Sequence, residues 1–410
     1  MGGFFTDTEL AEATPAGCGH TCQLNRGTNP VPVGGQGKRG VLLVFDSGAP
    51  KALLLAYKAL SALGIDPQRD CWKMGAVSCP CPRPPLQPEI AACRPNVLKA
   101  VRELQPKLII MFGSAAMSSL VGHSAPKIAF GKKKGFPLLC DKVFPDQAFP
   151  GAWLACVMSP EQVERQKFDA VVETVWRKSL KLALEALDEP LPRLPNPNDC
   201  QLLTDPERAE RLLSIVLEKK PLIAFDYETT GLKPHAKGHR VVSVGFCPSF
   251  TASYAFDVPY PVKGTVWEGA VENWRKIMAD SAVPKVAHNV PYEWEWTRRC
   301  FLVVARGWVA DTQVLSHLED SRPGHSGLKA QSYLKFGAPE YAEETDRFKR
   351  ASPEDVALYG CNALNKMDKA PSRARLKYNG IDALYTYWLF KWFQERGLVA
   401  PDGKSQMVYG

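Results

Sequence analysis

No stretch of this 410-residue chain approaches the run of about 20 apolar residues that a membrane-spanning helix needs. The strongest candidate, ALLLAYKALSALGI, is too short and is interrupted by a lysine. The start, MGGFFTDTEL, is acidic and poor in apolar residues, which does not fit a secretory leader. A cytoplasmic protein without a membrane partner is therefore expected. There is no internal repeat and no long low-complexity tract; GGQGKRG at 34–40 reads as a flexible loop. Without a secretory leader, the 12 cysteines read as thiols or metal ligands and not as a disulfide framework.

What is present suggests two domains, each long enough to bury a core. The formal net charge of +8 permits nucleic-acid binding without establishing it. The segment DEPLPRLPNPND, 188–199, carries four prolines and no periodicity, directly after the helical pattern DAVVETVWRKSLKLALEAL. It is expected to be a linker between domains at 1–187 and 200–410. Upstream, the apolar runs VLLVFDS and KLIIMFG alternate with helical stretches; downstream, PLIAFDY, RVVSVGF and ASYAFDV read as three strands before further helices. Both halves are expected to be α/β.

The stretch AFDYETTGL, 224–232, ends an apolar run with two carboxylates one residue apart. In a strand, side chains at i and i+2 share a face, so Asp226 and Glu228 point the same way. Two like charges held there raise each other's pKa and cost desolvation energy unless a cation lies between them. Solvated acids on a hairpin edge are the simpler alternative, and a metal site requires more carboxylates downstream. At 287–296, AHNVPYEWEW offers Asn289 and Glu293, which would share a face at i and i+4 of a helix beginning there. At 376–388, LKYNGIDALYTYW offers Tyr378 and Asp382 at the same spacing. The intervals of about 65 and about 90 residues let all of these converge over one sheet.

That order resembles the tyrosine subtype of DEDD 3′-5′ exonucleases, in particular the proofreading domains of family A DNA polymerases and their phage relatives. The resemblance covers roughly residues 198–395 and includes the intervening ADTQVLSHLEDSRPGHSGLKAQSYLKFG, with Asp311-Thr312 and Leu328-Lys329. It implies a ribonuclease H-like (DnaQ-like) fold and catalytic Asp226, Glu228, Glu293, Tyr378 and Asp382. It also makes Thr229, Leu232 and Asn289 substrate-binding, with Leu232 against the terminal base. Glu293 stands where the family usually has Asp; a role through metal-bound water accepts the extra methylene. Phosphodiester hydrolysis needs a nucleophile near neutral pH and charge stabilisation on both attacking and leaving oxygens, which two divalent ions about 3.5–4 Å apart provide. Carboxylates select Mg²⁺ or Mn²⁺. The resemblance assigns Asp226 as bridging ligand, Glu228 and Asp382 to one ion, Glu293 to the other, and Tyr378 to the attacking water.

In the other half, CGHTCQL supplies Cys18 and Cys22, and SCPCPRPPLQPEIAACRPN supplies Cys79, Cys81 and Cys93. Four thiolates suit Zn²⁺ or an iron–sulfur cluster, and spacing does not choose between them. Cys71, Cys140, Cys156, Cys200, Cys247, Cys300 and Cys361 read as small buried hydrophobes. The run from Ser78 to Gly122 is similar to the iron–sulfur (family 4) uracil-DNA glycosylases, a resemblance covering roughly 16–185. It implies an α/β/α sandwich and a [4Fe–4S] cluster on Cys18, Cys22, Cys79 and Cys93. Cys79 would close the strand MGAVSC, and Cys81 is its alternative as ligand. The catalytic motifs depart from the family: FDSGAPK stands for the first, without its stacking aromatic, and VMSPEQ for the second, with Met158 in place of histidine. Base excision must hold a flipped base and stabilise its departing anion, so this half is expected to bind DNA or protein without excising uracil. Tyr57, the nearest aromatic, lies in a helical pattern and is expected in the core, while Lys132, Lys133 and Lys134 could meet phosphate.

Together these features point to a metal-dependent 3′-5′ exodeoxyribonuclease acting on single-stranded DNA or primer-template 3′ ends. The expected setting is a phage replication system in the host cytoplasm, with a separate polymerase as partner. Fifteen residues follow position 395, so a proofreading subunit and an N-terminal fragment of a polymerase look alike. The rival from another class is a non-catalytic replisome scaffold with both halves degenerate. An active uracil glycosylase is opposed by Met158. RNA stays open as a substrate, since nothing in these motifs reads the 2′-hydroxyl.

Overall fold

The computed structural model describes residues 31–46, 50–79, 81, 83–121, 139–166 and 169–399. The chain forms two compact units, one of residues up to Leu194 together with Tyr333–Pro339, the other of Pro195–Ser332 and Glu340 onward.

In the first unit, β1 (Val41–Phe45), α1 (Pro50–Ala62), β2 (Cys71–Gly75), α2 (Gln87–Leu104), β3 (Leu108–Phe112), α3 (Ser114–Leu120), β4 (Lys142–Pro145), β5 (Trp153–Val157), α4 (Pro160–Arg165) and α5 (Ala170–Glu185) follow in order. The sheet runs β2-β1-β3-β5-β4, with only β4 antiparallel to its neighbour. The strands VLLVF and LIIMF are buried on both faces, as continuous apolar runs in parallel sheets are. Leu42, Val44, Ile109 and Met111 pack under Val97 and Val101 of α2. Val41, Leu43, Leu108 and Ile110 face the other way, against Ala56 and Leu60 of α1 and Trp176 and Leu180 of α5. The two-residue alternation of the strands thus builds two cores, one on each side of the sheet.

The strand expected to run through MGAVSC stops at Gly75, so Cys79 lies in the bends beyond it. The reason lies in the partner: Gly75 pairs with Phe45, the last residue of β1, and the ladder ends where β1 does.

The second unit contains β6 (Cys200–Leu203), α6 (Pro206–Lys219), β7 (Ile223–Thr229), β8 (Val241–Ser249), β9 (Ala252–Asp257), α7 (Glu268–Ala279), β10 (Lys285–Ala287), α8 (Val290–Trp296), β11 (Trp308–Asp311), α9 (Thr312–Glu319), the first part of α10 (Leu328–Phe336), whose residues from Tyr333 on count with the first unit, α11 (Glu343–Asp346), α12 (Pro353–Tyr359) and α13 (Ser372–Glu395). Its sheet runs β11-β10-β7-β8-β9-β6, with β7, β8 and β9 antiparallel and the remaining pairs parallel. This mixed sheet with helices on both faces is consistent with a ribonuclease H-like exonuclease fold. Ile223, Phe225 and Tyr227 of β7 join the core beneath α6 and α7, where Leu213, Val216, Trp274 and Ile277 cover them. Asp226 and Glu228 consequently face the opposite side, over which α13 lies.

Candidate active site

The backbone of α13 comes close to the sheet because residue 245 is glycine. Gly245 pairs with Asp226 across the β7–β8 ladder, and a Cβ there would collide with the Asn379 carbonyl. The close approach lets Asn379, fully buried, donate its Nδ2 hydrogens to Asp226 Oδ2 at 2.8 Å and to the Asp226 carbonyl at 3.1 Å. Ser243 Oγ donates to Asn379 Oδ1 at 3.0 Å, which fixes the amide's orientation. One turn further along α13, Asp382 reaches the same place. Asp226, Glu228 and Asp382 each offer a carboxylate oxygen, and these oxygens lie within 4.8 Å of one another.

Glu293 arrives from α8. The residue before that helix, Asn289, has left-handed geometry with φ of 83°, which Asn tolerates better than most side chains. The expected i, i+4 helical pairing of Asn289 with Glu293 is therefore corrected: the helix begins at Val290 and Asn289 stands outside it. Asp311 accounts for the bend. Its carboxylate accepts the N–H groups of Asn289 at 3.0 Å, Val290 at 2.8 Å and Gln313 at 2.8 Å, tying the starts of α8 and α9 together. Glu293 is 2% exposed, and its Oε2 lacks any hydrogen-bond partner.

Burial pushes the carboxyls of Asp226 and Glu293 well above the ordinary carboxylate range, and the neighbouring acids push them further. Glu228 is raised to about 8, first by burial and then by the charge of Asp382. Asp382 is raised by burial, against hydrogen bonds from Tyr341 and Tyr378 that favour its charged form. Four acids so placed resist ionising together unless cations join them. An all-oxygen donor set, with one oxygen buried and unpartnered, fits hard divalent ions such as Mg²⁺ or Mn²⁺.

Cations of the chain itself flank this cluster. Lys349 Nζ lies 3.7 Å from the Tyr378 ring centroid and Lys329 Nζ lies 5.4 Å from it. Lys349 also pairs with Asp346 at 3.1 Å. Burial, followed by the charge of Lys329, lowers its pKa.

Beside the cluster, Thr229 Oγ1 donates to the Gly231 carbonyl at 2.8 Å and meets Tyr292 Oη at 2.6 Å. Leu232 is 66% exposed beyond the strand. Asn379, Tyr341, Tyr292 and Lys349 are residues of this region that sequence reasoning missed. Asn379 carried a usable signal, since it precedes Asp382 by three residues on one helix. Tyr341 carried none, because it lies in an irregular segment before α11.

In the first unit, Cys93 is buried in α2 and accepts the Ser78 N–H at 3.3 Å. Cys79 is buried and Cys81 half-buried; both line a cleft of about 960 Å³ with Phe45, Asp46, Tyr57 and Lys73. Cys18, Cys22 and Lys132–Lys134 lie outside the described residues. Met158 packs against the core under α5, as does Tyr57. Of the cysteines read as buried hydrophobes, Cys71, Cys140, Cys156 and Cys247 are buried and Cys200 and Cys300 intermediate, whereas Cys361 is exposed. Cys361 lies in the single 3₁₀ turn Gly360–Asn362 that follows α12 and buries none of its residues.

No helix of the described residues is long and apolar enough to cross a membrane. No curated protein sequence matches the chain. Among solved structures it is similar to Brucella melitensis NrnC, with 21% identity over 43% of this chain and 72% of that one at a TM-score of 0.30. The form of that protein with bound Mg²⁺ matches at 20% identity over the same shares, 43% and 72%, with a TM-score of 0.29. Trypanosoma brucei RNase D in complex with GMP matches at 16% identity over 47% of this chain and 56% of that one, with a TM-score of 0.34. A family model described as 3′-5′ exonuclease matches residues 200–397, the span that contains Asp226, Glu228, Glu293, Tyr378 and Asp382. Residues 200–397 of this chain are a 3′-5′ exonuclease domain.

Proposed function

We propose that the protein is a metal-dependent 3′-5′ exodeoxyribonuclease that removes terminal nucleotides from single-stranded or primer-template DNA, as the proofreading subunit of a phage replication machinery. The observation that carries this reading is the buried cluster of Asp226, Glu228 and Asp382, with carboxylate oxygens within 4.8 Å of one another inside the exonuclease domain. Two Mg²⁺ or Mn²⁺ ions held by these residues and Glu293 would supply charge stabilisation at the attacking and leaving oxygens of the phosphodiester.

The chain's own residues do the remaining work. Asn379 fixes the orientation of Asp226 through its 2.8 Å hydrogen bond. Tyr378 would orient the attacking water, and Leu232, exposed beyond the strand, would meet the terminal base. Lys329 and Lys349 add positive charge beside the cluster, where the phosphate backbone would pass. A cytoplasmic setting and a separate polymerase partner belong to the same reading.

The first unit is, on this proposal, a glycosylase-like domain that carries a [4Fe–4S] cluster on Cys18, Cys22, Cys93 and either Cys79 or Cys81, with zinc as the alternative. It binds DNA or protein and does not excise uracil. Met158, partly buried against the core, supports the second half of that statement, since a thioether cannot donate a hydrogen bond to a departing base.

The test is digestion of 5′-labelled DNA with paired and mismatched 3′ ends, alongside an RNA of the same sequence. Single-nucleotide shortening of DNA, faster at the mismatch, is expected. Shortening of RNA alone would replace the proofreading reading with an exoribonuclease.

A further inference from the structure

Asp382 has two phenols on it. Tyr378, four residues earlier on α13, is one of them. The other is Tyr341, whose hydroxyl donates to Asp382 Oδ1 in a short hydrogen bond of 2.5 Å. Tyr341 comes from the irregular segment before α11, far from α13 in sequence. Its ring lies on Tyr378 with centroids 5.7 Å apart and planes 28° apart, and on Tyr385 at 5.5 Å and 31°. Because Tyr378, Asp382 and Tyr385 lie on one face of α13 at i, i+4 and i+7, Tyr341 is pressed along that whole face. Lys329 Nζ lies 5.7 Å from its ring centroid and pairs with Glu340, the residue before it, at 3.5 Å.

We propose that Tyr341 is a positioning residue that fixes the carboxylate of Asp382 for metal binding, leaving the Tyr378 hydroxyl available for water. The terminal torsion of Asp is broad and roughly two-fold, so the backbone of α13 alone does not set the direction in which Asp382 presents its oxygens. A phenol O–H directed at Oδ1 sets it, while a carboxylate retains several further lone-pair positions for a cation. Tyr378 cannot hold Asp382 and turn fully to an attacking water with one hydroxyl hydrogen. A second donor divides the two tasks. Groups that orient a metal ligand in this way typically change metal affinity or activity by about 10–100-fold when removed.

This inference rests on the metal reading given above, and direct Mn²⁺ titration by calorimetry on the full chain separates the two. Tyr341→Phe keeps the ring stack and removes only the hydroxyl. It is expected to weaken Mn²⁺ binding by about tenfold, with the melting temperature in metal-free buffer and the KM for a 3′ end unchanged. Tyr378→Phe should weaken Mn²⁺ binding less than Tyr341→Phe does and lose kcat. Wild-type affinity in Tyr341→Phe, beside a wild type that binds Mn²⁺, would overturn the role of Tyr341 and leave the metal site standing. Tyr341→Leu removes the ring as well: if Tyr341→Phe matches it in both affinity and melting, packing explains the loss and the proposal fails. A wild type that binds no Mn²⁺ would remove the metal reading and this role with it.

Discussion

The carboxylate cluster of the exonuclease domain and the thiol site proposed for the first unit are assembled differently. Asp226 and Glu228 sit on a central strand, Glu293 on a helix and Asp382 on a long helix, each on a regular element whose direction is set by a core. Of the described thiols proposed as ligands, Cys93 stands on a helix, whereas Cys79 and Cys81 lie in a proline-rich bend. Ligands on rigid elements are held in place before any ion arrives, and the electrostatic cost is already present as raised carboxyl pKa values. Ligands on a loop can be organised by the metal itself, so that metal binding there is part of folding. The two sites should therefore respond in opposite ways when ligands are removed.

The largest effect is expected at the carboxylates. Asp226→Ala should slow nucleotide removal by about 10³-fold, roughly 4 kcal/mol of transition-state stabilisation, with the fold intact. Its metal-free melting temperature should equal or exceed wild type, because one of several mutually repelling acids is gone. A variant that digests DNA at the wild-type rate would remove Asp226 from the metal site.

The thiol side should show the reverse. Cys93→Ser should lower the melting temperature of the first unit, and anaerobically purified protein should contain about four irons per chain with broad absorbance in the visible. Comparing iron content in Cys79→Ser and Cys81→Ser would decide which of the two is a ligand. Stoichiometric zinc without iron would convert the cluster to a structural zinc site and leave the comparison standing. A protein without metal, and with Cys93→Ser as stable as wild type, would break it.

Dependence on pH gives a subtler test. The folded-state pKa of Glu228, about 8, lies above its value in an unfolded chain, so the folded state binds this proton more tightly. Its stabilising contribution is complete below the unfolded value, about 4.3, and is lost as pH rises toward 8. Asp226 and Glu293 shift in the same direction. Metal-free protein should thus melt progressively lower from pH 5 to pH 8, and Mg²⁺ should restore the loss. Glu228→Gln should flatten the slope; an unchanged slope would show that these acids are not coupled to folding. The smallest expected signal is at uracil, where alkaline scission of uracil-containing DNA after incubation should not exceed that of unmodified DNA. Scission above that control would make the first unit a repair enzyme.

Much of the exonuclease domain was legible because its signals are periodic. The run PLIAFDY identified the strand, and the two-residue period put Asp226 and Glu228 on one face; the four-residue spacing in YNGID put Tyr378 and Asp382 on one face of a helix. What escaped depends on three-dimensional approach. The need for glycine at 245 arises only because α13 crosses it at Asn379, and Tyr341 reaches Asp382 from an irregular segment. The left-handed turn at Asn289 is set by Asp311, 22 residues on, so a helix read from local pattern alone began one residue early. The end of β2 at Gly75 is dictated by the length of β1, which the MGAVSC pattern could not register.

The central claim is that the carboxylate cluster works as a metal-dependent 3′-5′ nuclease centre, and the most direct test is a time course on 5′-labelled single-stranded DNA with Mg²⁺ supplied or chelated. The account predicts a ladder shortening one nucleotide at a time from the 3′ end with Mg²⁺ and intact DNA with chelator. Full-length DNA in both lanes, or the same ladder in both, would contradict it.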